Sequence, residues 1–97
     1  MIVVRDIFRL KFGKAREFKA AMAEGRKFLQ PALGQDMRVL ADLVADSYTF
    51  VLESTHESLS AWEASMASAT NDEWRAWYQT VIPLVEEGRR EIFTIVE

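Results

Sequence analysis

The chain has 97 residues, of which 49% are hydrophobic and 28% charged, with a net charge of −3, a single histidine and no cysteine. This describes one small domain, residues 1–97, near the size at which burial between subunits supplements a single core. The shortage of Lys and Arg excludes a nucleic-acid partner and the missing cysteine excludes disulfides and thiolate metal sites. No window approaches the ~20 apolar residues of a membrane span and none near the start has signal-peptide length, so a cytoplasmic protein without a membrane partner is expected.

Ile2 to Phe12 reads as a strand whose two faces are both partly apolar: Ile2, Val4, Asp6, Phe8, Leu10 and Phe12 on one parity, Val3, Arg5, Ile7, Arg9 and Lys11 on the other. After Gly13 the period becomes helical, with Ala15, Phe18, Met22, Gly25 and Leu29 forming a single stripe, and Pro31 and Gly34 punctuating its end. Met37 to Ala45 and Tyr48 to Glu53 alternate again and read as a hairpin joined at Asp46-Ser47. Ser58 is placed to cap a second helix that carries Leu59, Trp62, Met66 and Ala69 on one side. Thr70-Asn71-Asp72-Glu73 fits a capping box for a third helix, whose stripe is Trp74, Trp77, Tyr78, Val81 and Val85, with a kink at Pro83 and a stop at Gly88. Arg89 to Glu97 closes the chain as a strand.

Strand, helix, strand, strand, helix pair, strand is the split β-α-β order of the ferredoxin-like α+β class, a four-stranded antiparallel sheet with its helices on one face. The helix-facing residues are expected to include Phe8, Leu10, Phe12, Met37, Val39, Leu43, Tyr48, Phe50, Leu52, Phe93 and Ile95. The opposite face is expected to hold Val3, Ile7, Leu40, Val44, Val51, Ile92 and Val96 among Arg5, Arg9, Arg38, Asp42, Glu53 and Arg90. Monomers avoid apolar patches of that extent. Covering several hundred Å² of it with a second copy is worth on the order of 10 kcal/mol before association costs, so a homodimer through the sheet faces is expected.

With both sheet faces apolar, this order resembles the dimeric α/β-barrel superfamily, in which two ferredoxin-like subunits stack their sheets. Phe8-Arg9-Leu10-Lys11-Phe12-Gly13-Lys14 followed by Glu17-Phe18 is similar to the strand-to-helix entry of its antibiotic-biosynthesis-monooxygenase and NIPSNAP-like branches. Asp72-Glu73-Trp74-Arg75-Ala76-Trp77, Val81-Ile82-Pro83-Leu84-Val85 and Gly88-Arg89-Arg90-Glu91-Ile92 resemble the NIPSNAP-like branch most. The haem-degrading branch is similar at Trp62, but Asp6 stands where it has asparagine, and its helical haem-ligating histidine has no counterpart, so haem is not expected. The resemblance implies a small pocket between sheet and helices and, for an enzyme, cofactor-free oxygenation of an aromatic or enolic metabolite.

Asp6 shares the parity of Phe8 and Leu10, which aims a carboxylate at the space under the helices, where it could act as a general base; the alternative is an aspartate bonded to backbone or solvent. His56 follows the third strand at the parity of Phe50 and Leu52 and is the second acid/base candidate, against a loop histidine with no task. Tyr48, Trp62, Trp77 and Tyr78 are the candidate walls of the pocket, against simple core filling. Trp77 and Tyr78 diverge by roughly 100° around their helix, so one of the two is expected to border the pocket or the subunit seam. One histidine leaves a metal site short of ligands, and Ser54 and Ser58 lack the surroundings of a nucleophile. The rival to the enzyme is a non-catalytic homodimer that binds a small ligand or a protein.

Overall fold

A computed structural model describes residues 1–97. The chain runs β1 (Ile2–Leu10), α1 (Ala15–Leu33), β2 (Arg38–Ala41), β3 (Thr49–His56), α2 (Leu59–Ala69), α3 (Asp72–Val81), a 3-10 turn (Ile82–Leu84) and β4 (Val85–Thr94). The sheet order is β2-β3-β1-β4 with every neighbouring pair antiparallel, the ferredoxin-like arrangement. No helix is long and apolar enough to cross a membrane.

Alternation along β1 and β3 places Phe8 opposite Phe50 and Asp6 opposite Leu52 on the face that α1 and α3 cover. Phe18 of α1 is wholly buried against this face, its ring 5.0 Å from Phe50 and 5.8 Å from Phe8. Leu10, Met22, Val81 and Leu84 complete one half of the core, and Leu29, Leu33, Met37 and Leu52 the other. Pro31 lies inside α1 and does not end it. The proline removes one donor near the C-terminus, but Leu29 and Leu33 on either side are buried and hold the last turn to the sheet.

Ser58 caps α2 as expected, its hydroxyl accepting from the Ala61 N–H at 3.1 Å. The cap of α3 is Asn71, whose Oδ1 accepts from Trp74 N–H at 2.9 Å, and not Thr70. Thr70 is occupied in closing α2, with its N–H donated to the Met66 carbonyl at 3.1 Å. Pro83 sits within a 3-10 turn that ends α3, so β4 begins at Val85 and Gly88 lies inside the strand instead of stopping a helix.

The early start of β4 changes which of its side chains face the helices. Arg9 pairs with Glu87 but Leu10 pairs with Val85, leaving Glu86 as the extra residue of a β-bulge. Beyond it Gly88, Arg90, Ile92 and Thr94 lie opposite Phe8, Asp6, Val4 and Ile2 on the helix-covered face. The expected positions of Phe93, Ile92 and Arg90 are therefore reversed: Phe93 is on the open face, with the Arg5 guanidinium 5.4 Å from its ring centroid. β2 is also shorter than its alternation suggests. Leu43 and Val44 belong to the turn after Ala41 and are almost fully exposed, and Phe12 lies beyond β1.

The open face carries Val3, Ile7, Leu40, Val51 and Phe93 around a buried acidic centre. Glu53 accepts from Arg5 Nε at 2.8 Å through Oε2 and from Arg38 Nη2 at 2.5 Å through Oε1. The Arg38 hydrogen bonds, reinforced by Arg5, hold the Glu53 carboxyl below its usual range in spite of burial.

Candidate functional site

A cavity of about 500 Å³ lies between the helix-covered face of the sheet and the helical layer. Its floor is Asp6 and Phe8 of β1, Leu52 of β3, and Gly88 and Arg90 of β4; its roof is Met22 of α1, Met66 of α2, and Trp74, Trp77 and Tyr78 of α3. Eleven of its 15 lining residues are hydrophobic, the composition of a site for an apolar ligand with a few oriented polar groups.

The roof is rigid for local reasons. Trp74 and Tyr78 are one helical turn apart, so their rings stack at 4.7 Å with 12° between planes. Trp77 is fixed by its indole N–H, which donates to the Ala21 carbonyl of α1 at 2.7 Å, and by Gly25, where a Cβ would overlap the indole ring. The Trp74 indole N–H is buried without an acceptor, a state that costs about 1–3 kcal/mol for an unpaired donor.

The polar end is an ion pair. Arg90 Nε donates to Asp6 Oδ1 at 2.5 Å, while Oδ2 of the same carboxylate has no hydrogen bond from the protein. The Arg90 guanidinium also lies 4.8 Å from the centroid of the Trp62 ring, so α2 is tied to β4 through a cation–π contact. Arg89 also borders the cavity, but its alternation places the side chain on the open face, where its Nε lies 3.2 Å from Glu91 Oε2.

The residues singled out in the sequence are divided by the fold. Asp6, Trp77 and Tyr78 line the cavity, both aromatic residues and not one of them, because the space extends under two sides of α3. Trp62 reaches it only through Arg90. Tyr48 is at the far end of the sheet, in a left-handed turn conformation with φ of 65°, its ring 5.0 Å from that of Phe12. His56 does face the helical side, but it is buried away from the cavity with Nε2 3.0 Å from Ser54 Oγ. Burial pushes its imidazole below the usual 6.5, and the Asp36 charge partly opposes this. Sequence reasoning missed Arg90 because the bulge is invisible in it. It also passed over Trp74 as a wall, although the spacing of Trp74 and Tyr78 by four residues signals a shared helix face.

The chain matches no protein-family model and no curated protein. Solved structures do match. It is similar to a NIPSNAP family protein from Agrobacterium tumefaciens at 20% identity, covering 99% of this chain and 93% of that one with a TM-score of 0.91. An uncharacterised NIPSNAP-like domain protein from Burkholderia xenovorans is 22% identical over 98% of this chain and 84% of its own, with a TM-score of 0.90. A candidate antibiotic biosynthesis monooxygenase from Nitrosomonas europaea is 19% identical over the full length of both chains, with a TM-score of 0.77. The fold is thus the one that NIPSNAP and antibiotic-biosynthesis-monooxygenase proteins share.

Proposed function

We propose that this chain pairs with a second copy through its open sheet face and binds a small, flat aromatic molecule in the cavity, where it acts as a cofactor-free oxygenase. The observation that carries the reading is an aromatic-walled space of about 500 Å³ with one carboxylate, Asp6, at its end and a guanidinium beside it. Oδ2 of Asp6 is free to accept the proton of a phenol or enol, and Arg90 offsets the negative charge left on the substrate. The substrate anion itself supplies the electrons that reduce dioxygen, so the reaction needs no bound redox group. His56 has no part in this step, since it lies outside the cavity.

The dimer is supported by surface area. The chain exposes 6384 Å² at 11.1 kDa, where a self-sufficient monomer of that mass exposes about 5,700 Å². The excess fits a face that is covered in the assembled protein.

Gly88 offers a direct test, because a Cβ there meets only ordinary contacts with Phe8 and the Ile7 carbonyl, on the face that larger side chains would share with the cavity. Calorimetric titration with naphthol should show binding to the native protein and none to a folded Gly88→Val variant. Oxygen uptake with hydroxylated anthrones and quinols should fall at least about 100-fold in Asp6→Asn, the contribution of a positioned base. Binding without oxygen uptake would leave the non-catalytic ligand-binding reading, which the absence of histidine from the cavity favours.

A further inference from the structure

We infer that Asp6 sets the charge selectivity of the cavity: its pairing with Arg90 admits neutral aromatic molecules carrying a group that both donates and accepts, and turns away aromatic carboxylates. The inference rests on the reading of the cavity as an aromatic ligand site and adds what it selects.

Three observations carry it. The polar end of the cavity has one carboxylate and one adjacent guanidinium in direct contact at 2.5 Å, so Arg90 is already neutralised. Arg89 lies opposite Ile7 on the open face, where its guanidinium is engaged by Glu91, so no spare cation faces the space. Arg90 is also held by the Trp62 ring, 4.8 Å from its guanidinium, a second contact that restrains it beside Asp6. A ligand carboxylate placed at this end would meet the unbonded Oδ2 of Asp6, a like charge with no hydrogen to share. A phenol, enol or primary amide meets the same pair in complementary fashion, donating to Asp6 and accepting from Arg90. Removing the charge of Asp6 leaves Arg90 uncompensated under an aromatic roof, which is the arrangement that captures an aromatic carboxylate.

Naphthamide and naphthoate have nearly the same shape and differ in charge, so their dissociation constants isolate the effect. By calorimetry at low ionic strength, the native protein should bind naphthamide at least about tenfold tighter than naphthoate, the order expected for a like charge beside a partly buried carboxylate. In Asp6→Asn the preference should reverse. If that variant does not fold, Arg90→Gln carries the test, with the discrimination against naphthoate growing because the neutralising cation is gone. An unchanged ratio in the folded variant, or native protein that prefers naphthoate, overturns the inference while leaving the aromatic site standing. If neither molecule binds the native protein or the variant, the reading of the cavity fails and this selectivity falls with it.

Discussion

His56 is the residue whose chemistry and location disagree most. Its ring is buried on the helix side of β3, with Ser54 as its hydrogen-bonding partner, and burial keeps it neutral below the usual 6.5. The native state therefore binds fewer protons than the unfolded state as pH falls below 6.5. Stability from the neutral ring is fully present above that value and is lost as pH drops toward the depressed native value. Thermal unfolding should show the melting temperature falling as pH is lowered from 7 through 6, and His56→Gln should flatten the profile in that window. A profile identical in both proteins would assign the loss to other groups. Glu53 contributes lower on the scale, since Arg38 and Arg5 favour its ionised form and that stability disappears only on protonation of a carboxyl held below 4.5. At this scale the sequence was informative about direction but not about neighbours. The parity of Asp6 and His56 is legible in β-strand alternation. That the first meets Arg90 and the second Ser54 depends on pairing between strands distant in sequence.

Among the elements, α1 and α3 meet where the Trp77 indole lies against Gly25. Gly25 falls in the buried stripe of α1 and a methyl there would occupy the ring's position. Gly25→Ala should therefore destabilise the fold by about 1–3 kcal/mol in denaturant unfolding, despite alanine's better helix propensity, because an overpacked site outweighs a gain of about 1 kcal/mol or less. Combining it with Trp77→Leu should recover part of that loss relative to the sum of the single changes. The helices themselves were legible, since their apolar periods are strong. Their ends were legible only in part: Ser58 and Gly34 bound their helices as the sequence suggests, but two other signals misled. Pro31 reads as a terminator but the burial of Leu33 carries α1 past it, and Thr70 reads as a cap but is already committed to α2. Tertiary contacts decided both.

For the molecule as a whole, the open sheet face is the surface through which the proposed pairing runs. Val51 lies opposite Ile7 on one side and Leu40 on the other, at the apolar middle of that face. Sedimentation at micromolar concentration should report a dimer for the native chain and a monomer for Val51→Asp, which inserts a carboxylate into the open face beside Glu53. A native chain that sediments as a monomer would remove the pairing from the proposal. The two-faced apolar character of the strands, which motivates the dimer, was readable from residues such as Val3 and Ile7 against Val4 and Phe8. The turn at Leu43-Val44 was not, because apolar residues at a hairpin tip imitate a longer strand.

The surplus residue Glu86 works as a reading-frame setting for the strand that follows it. Because side chains alternate with a period of two, pairing Glu86 directly with Arg9 in a bulge-free ladder would set Arg89 opposite Asp6 and Glu91 opposite Val4, exchanging the inward set for the outward one and turning Arg90 onto the open face. A lineage carrying this scaffold can thus lose Glu86 itself with every later pair unchanged, whereas a single-codon deletion between the bulge and Arg90 recodes the cavity and the open face together.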